Sequence, residues 1–75
     1  MILSIHDDRP GVLLTLLVAL AAHQVNISDL RLAKKGIYGM AMLGVEGEKD
    51  NIEKALRSLS SEFHEVSYFN QLQIK

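Results

Sequence analysis

Hydrophobic and polar positions divide the chain into segments with different periods. Met1–Ile5 is predicted to be a short strand, and it ends at a polar run closed by Pro10, which suits the first turn of a helix. A helix is then predicted over Pro10–His23. Within it, Val12–Ala22 is apolar at every position except Thr15. The first helix is therefore predicted to be apolar on nearly all sides.

The middle of the chain predicts a β-hairpin. One strand is expected at Asn26–Ala33, where apolar and polar residues alternate, and a second at Tyr38–Glu46, which is apolar on both faces. The turn between them is predicted at Lys34-Lys35-Gly36, with both lysines exposed to water.

The last third of the chain predicts a helix followed by a strand. The helix is expected to begin at a DxxE pattern, Asp50 to Glu53, that resembles a capping box. Its apolar positions recur at helical spacing on one face: Ile52, Ala55, Leu56, Leu59 and Phe63. The final strand is expected over Glu65–Lys75, where one phase is apolar: Val66, Tyr68, Leu72 and Ile74.

The element order βαββαβ predicts an α+β, ferredoxin-like sandwich. Right-handed crossovers place both helices on one face of a four-stranded antiparallel sheet. The second strand then lies at a sheet edge, where it is able to pair with another chain. At 75 residues we expect one domain, residues 1–75. An apolar first helix needs cover on a second side, which either a homodimer or a close-packed monomer core would provide.

Composition argues against several classes of function. The formal net charge of −1 gives no broad field for nucleic acid or an anionic membrane. Cysteine is absent and no metal-ligand spacing is present, so neither a metal nor another cofactor is expected. The apolar run is too short to span a bilayer, which favours a cytoplasmic protein. No Ser or Cys nucleophile accompanies His6 in an activated arrangement, so the chain is not expected to be an enzyme.

A candidate ligand site lies where the polar run His6-Asp7-Asp8-Arg9 meets the first helix. The first N–H groups of a helix lack partners within it, and the helix dipole favours an anion there. Gly11, Val12 and Leu13 are expected to offer such N–H groups to a carboxylate. Asp8 either caps this helix or contacts the ligand, and both readings stay open.

Three short motifs extend this site along the chain: Asp8-Arg9-Pro10-Gly11-Val12-Leu13, Val25-Asn26-Ile27 and Gly39-Met40-Ala41-Met42. Together they resemble the ACT family of small regulatory domains, which bind amino acids and control metabolic enzymes. The resemblance implies ligand contacts from the first two motifs, including Arg9, Pro10 and Ile27. Within the family, the chain most resembles serine-binding members, which implies that His6, Asp8 and Asn26 hold the effector. Asp8 departs from the asparagine of those members.

Helix length separates the two parts of this site. The roughly 12 residues from Gly11 to His23 span about 18 Å, so Asn26 lies far from His6 and Asp8. Two first helices packed antiparallel about a two-fold axis would bring Asn26 of one copy beside the polar loop of the other. We therefore expect an amino-acid effector, L-serine by resemblance, at a homodimer interface, with an attached or associated metabolic enzyme under its control. The alternative is a dimerisation or interdomain module without a ligand.

Overall fold

The computed structural model describes residues 1–69, and their elements follow the predicted order. The strands are β1 (Ile2–Asp7), β2 (Asn26–Lys35), β3 (Tyr38–Glu46) and β4 (Phe63–Tyr68), and the helices are α1 (Val12–Ala22) and α2 (Lys49–Arg57). All neighbouring strands are antiparallel, in the order β2-β3-β1-β4. The predicted ferredoxin-like fold is confirmed, with β2 at an edge of the sheet.

Alternate residues of β1 and β3 supply the sheet side of the core. Ile2 lies opposite Leu43, Ser4 opposite Ala41 and His6 opposite Gly39, and all of these residues are buried. The helices cover this face with buried residues of α1 (Val12, Leu16 and Leu20) and of α2 (Ile52 and Ala55). Both helices therefore pack on one face of the sheet. Two polar side chains, Ser4 and His6, lie within that packed layer.

A bulge near the start of β2 decides which of its side chains face the helices. Ile27 lies opposite Val45 and Leu30 opposite Leu43, so Ser28 is an extra residue in this strand. After the bulge, the residues on the helix-facing side are Leu30, Leu32 and Lys34. Leu32 is nevertheless 62% exposed, because the edge strand extends beyond the part of the sheet that the helices cover.

The position predicted for the hairpin turn, Lys34-Lys35-Gly36, is wrong. β2 continues to Lys35, so the turn begins at Gly36 and Lys34 belongs to the strand. Gly36 has a φ of +63°, the left-handed conformation that tight hairpin turns use and that glycine adopts without strain. The resulting register places Lys34 opposite Gly39 on β3.

The start predicted for the second helix is also wrong. α2 begins at Lys49, and Glu48, which precedes it, makes no capping hydrogen bond through its side chain. Asp50 already lies in the first turn, so it does not form a capping box with Glu53. Its carboxylate instead lies where the helix dipole favours negative charge.

The second helix is shorter than its apolar spacing indicates. It ends at Arg57, and Phe63, which was expected on its apolar face, lies on β4 and packs against the core from there. The last strand was predicted over Glu65–Lys75, whereas β4 covers Phe63–Tyr68. Leu72 and Ile74 of the predicted strand lie outside the described residues.

A substitution at Gly11 tests the backbone at the start of α1. Gly11 is the N-cap of this helix, with a φ of +88°, and no atom of the described residues lies within 4 Å of an added Cβ. Conformational strain is then the main effect, so we expect Gly11→Ala to lower the free energy of unfolding by about 1–2 kcal/mol. Gly11→Asn should lower it less, because asparagine tolerates the left-handed region. Chemical denaturation measures both, and two variants as stable as the wild type would contradict this conformation.

Candidate functional site

A cavity of about 340 Å³ lies between the end of β1, the start of α1 and the last residues of β2. Its charged lining comes from Asp7, Asp8, Arg9 and Lys34. Its apolar lining comes from Leu13, Leu32, Ala33 and Met40, while His6 and Gly39 complete it. The cavity therefore combines charges of both signs with apolar walls, as small-molecule sites commonly do.

The structure brings together part of the predicted ligand site. His6, Asp8, Arg9 and Leu13 line the cavity, whereas Pro10, Gly11 and Val12 do not. Asn26 and Ile27 begin β2, and at roughly 3.3 Å per residue the strand carries Asn26 about 26 Å from Lys34 at the cavity. The two halves of the predicted site are therefore far apart within one chain.

Sequence reasoning missed the contribution of β2 to this cavity. The residue pattern predicts Lys34 in an exposed turn, but its Nζ lies 2.9 Å from Oδ2 of Asp8. The signal that could have placed it is the ladder register, because Lys34 lies opposite Gly39 and Gly39 lies opposite His6. That register depends on where the hairpin turns, which the residue pattern alone left ambiguous.

His6 forms the buried floor of the cavity. Only 5% of its surface is exposed, and its Nδ1 lies 2.7 Å from the hydroxyl oxygen of Ser4, which is fully buried. A Cβ at Gly39 would lie 3.0 Å from Nε2 of His6, so the glycine leaves room for the imidazole ring. Burial lowers the pKa of His6, and this effect outweighs the negative charges of Asp8 and Asp7, which raise it. The ring is therefore neutral near pH 7.

Arg9 is held by carboxylates of the protein itself. Its guanidinium lies 3.3 Å from Oδ2 of Asp7 and also contacts the carboxylate of Glu62. Oδ1 of Asp7 lies 2.6 Å from Nε2 of His64, and this hydrogen bond, with Arg9 nearby, lowers the pKa of Asp7. These contacts tie the loop after β1 to the segment before β4, so Arg9 has a structural role in this site.

The start of α1 offers fewer free donors than its sequence indicates. The N–H of Val12 donates to the carbonyl of Arg9 at 3.3 Å, so it is not available to a ligand. No side chain among the described residues caps this helix, so the capping role considered for Asp8 is wrong. Asp8 instead makes the ion pair with Lys34.

Residues 1–69 contain neither a candidate metal site nor a candidate membrane span. No group of three or more His, Cys, Asp or Glu side chains there is arranged to hold a metal ion. None of the helices there has the length and apolar character needed to cross a membrane.

The buried imidazole predicts a pH dependence of stability. Burial holds the pKa of His6 in the folded chain below its ordinary value of 6.5. At pH values between these two pKa values, the unfolded chain binds a proton at His6 that the folded chain does not. Stability from neutral His6 is therefore present above about pH 6.5 and is lost as the pH falls. Asp7, whose pKa is lowered from 3.8, loses its contribution only in more acidic solution.

We expect the stability advantage of the wild type over His6→Gln to shrink as the pH falls from about 7 to about 5. Denaturant unfolding at several pH values measures this difference, and titrations shared by both proteins cancel in it. A difference that stays constant over this range would contradict a buried, neutral His6.

Comparison with known proteins agrees with this fold. The ACT domain profile matches residues 5–74 of the chain. D-3-phosphoglycerate dehydrogenases of Escherichia coli K12 and Shigella flexneri are 33% identical to it over 60 residues, which cover 80% of this chain. The chain spans only 15% of the length of these relatives.

A solved structure shares the architecture. The small subunit of acetolactate synthase from Thermotoga maritima superimposes with a TM-score of 0.70 and 21% identity. The match covers 88% of this chain and 44% of the chain of that subunit. This likeness shows the fold, and the profile and the dehydrogenase relatives show the family. The chain belongs to the ACT domain family, whose members are regulatory modules.

Proposed function

We propose that this domain binds a free amino acid, with L-serine favoured, and thereby controls a metabolic enzyme to which it is attached or bound. The cavity carries this proposal, because it offers an amino acid both a carboxylate, from Asp8, and an ammonium group, from Lys34. The neutral ring of His6 adds a polar group at its floor. The resemblance to serine-binding members is the reason for choosing L-serine first.

The effector would act through a homodimer. On α1, Leu14 is 59% and Val18 56% exposed, and on the neighbouring edge strand Leu32 is also exposed. Leu13, next to Leu14 on α1, lines the same cavity as Leu32 of β2, so α1 and the edge strand border one cavity. A small chain covers such surfaces economically with a second copy of itself, and the free edge of β2 would extend the sheet across the pair.

This arrangement would also reunite the two halves of the predicted site. If two copies of β2 pair antiparallel about an axis near Leu30, the start of one strand comes beside the end of the other. Asn26 of the partner subunit would then lie near Lys34 and the mouth of the cavity. A site shared between two chains allows the effector to favour one arrangement of the dimer, which an enzyme bound to it would sense.

Assembly is tested by placing a charge on the exposed face of α1. We expect the wild type to sediment as a dimer at micromolar concentration and Leu14→Asp to sediment as a monomer, because a carboxylate would be buried unpaired in the interface. Lys54→Asp, a charge change at an exposed position of α2, is the control and should remain dimeric. A wild type that is monomeric under these conditions would refute the dimer.

A mixed dimer tests the shared site. Asn26→Ala removes a hydrogen bond to a charged ligand group, so we expect roughly 10- to 150-fold weaker binding of L-serine with the dimer intact. A heterodimer of Asn26→Ala and His6→Ala chains keeps one undamaged site if each site uses His6 from one chain and Asn26 from the other.

Calorimetric titration should then find one site of near wild-type affinity per heterodimer. Two equally weakened sites would place both residues in one chain. A wild-type protein that dimerises but binds none of the twenty amino acids would instead support a dimerisation module without a ligand.

A further inference from the structure

Lys34 lines the cavity and forms an ion pair with Asp8, which is itself a candidate ligand contact. The other cavity cation, Arg9, contacts both Asp7 and Glu62, whereas Lys34 pairs with Asp8 alone among the described residues. The side chain of Lys34 is 77% exposed, so its ion pair with Asp8 is well solvated and opens easily. Lys34 is therefore able to exchange Asp8 for another carboxylate.

The second polar group is the imidazole ring of His6, which lines the cavity, with its Nε2 beside Gly39. The fully buried Ser4 hydroxyl contacts Nδ1 of His6 and makes no other hydrogen bond within residues 1–69. Since a buried hydroxyl needs an acceptor, Ser4 donates to Nδ1, and the single proton of the neutral ring is on Nε2. Nε2 has no hydrogen-bond partner within the described part of the chain. It is a buried donor that an anionic ligand would satisfy.

We propose that Nζ of Lys34 and Nε2–H of His6 bind the α-carboxylate of the effector, while Asp8, released from Lys34, binds its ammonium group. This assignment rests on the proposed function and adds Lys34, with Ser4 as the positioning residue that makes His6 a donor. The zwitterion carries the two charges of the Asp8–Lys34 pair, so each side chain exchanges one partner of opposite charge for another.

The start of α1 supports this choice of carboxylate partner. The N–H of Val12 is occupied by the carbonyl of Arg9, which reduces the donors that the helix end offers an anion. Lys34 and His6, by contrast, both line the cavity, and both lie on strands opposite Gly39. A carboxylate bound between them would be held by side chains of two strands of the sheet, β1 and β2.

Two ligands and a matched pair of variants test this assignment by calorimetric titration of the full chain. The ligands are L-serine and L-serinamide, which lacks the carboxylate. If the wild type binds another amino acid more tightly than L-serine, that amino acid and its amide are used instead. The variants are Lys34→Gln and Lys35→Gln, because Lys35 is an exposed neighbour on the opposite face of β2. Lys34→Arg tests whether a cation alone suffices.

We expect Lys34→Gln to weaken L-serine roughly 10-fold, the low end of the range for a hydrogen bond to a charged group, because Lys34 is exposed. The same variant should leave the affinity for L-serinamide unchanged or improved, since no carboxylate is lost and one positive charge is removed. Lys35→Gln should bind both ligands as the wild type does, and Lys34→Arg should retain most of the affinity for L-serine.

Equal weakening of both ligands by Lys34→Gln, or no effect on L-serine, would overturn the role of Lys34 while leaving the proposed function standing. A wild type that binds no amino acid would overturn both.

The ring nitrogens of His6 give a test that needs no ligand. Nitrogen-15 chemical shifts in the wild type should show the proton on Nε2 and a hydrogen-bonded, unprotonated Nδ1. Ser4→Ala should lose the hydrogen bond at Nδ1, while Ser4→Thr, which keeps the hydroxyl, should retain it. A proton on Nδ1 in the wild type would refute the assigned donor. Ser4→Ala should also weaken L-serine more than L-serinamide, a difference that loss of packing alone would not produce.

Discussion

The hydrogen bond between Ser4 and His6 inside the packed layer is the constraint on which the site depends. A polar pair in a core is tolerated only when its groups satisfy one another, and here the hydroxyl and Nδ1 lie 2.7 Å apart. Their strand, β1, is central in the sheet, so the ring is fixed by pairing on both sides. The opposing Gly39 has no side chain to compete for this space. Within residues 1–69, Nε2 of His6 is thereby left without a hydrogen-bond partner at the floor of the cavity.

The two adjacent carboxylates of the polar run have different roles because the chain turns them toward different neighbours. Asp7 bonds to His64 and Arg9, and together with Glu62 these contacts fix the loop against the β4 side of the sheet. Asp8 lies one residue later, beyond the end of β1, and meets Lys34 from the β2 side. The first set of contacts builds the wall of the cavity. The second is an exposed, well-solvated ion pair, which opens easily.

Small size explains why so much apolar surface remains exposed on one side of the domain. Among residues 1–69, two helices cover the central strands, whereas the edge strand β2 and the outer side of α1 keep exposed apolar side chains. The cavity lies at the boundary between the covered and uncovered parts of the sheet. A partner that covered the apolar surface would therefore also enclose a bound ligand, which couples assembly and binding in our proposal.

The sequence by itself determined the order of elements, the fold class and the position of the polar loop before α1, because hydrophobic period and the Pro-Gly pair are local signals. It also indicated four residues that line the cavity: His6, Asp8, Arg9 and Leu13. It misplaced Phe63 because the apolar spacing of a helix continues past the end of α2. It assigned Asp50 to a cap because the DxxE pattern begins two residues after the actual N-cap, Glu48.

Only the tertiary structure decided the role of Lys34, the loss of the Val12 donor and the burial of the Ser4–His6 pair. Each of these depends on strand register or on a turn conformation. Register is set by contacts between residues distant in sequence, and a shift of one residue moves a side chain to the other face of the sheet.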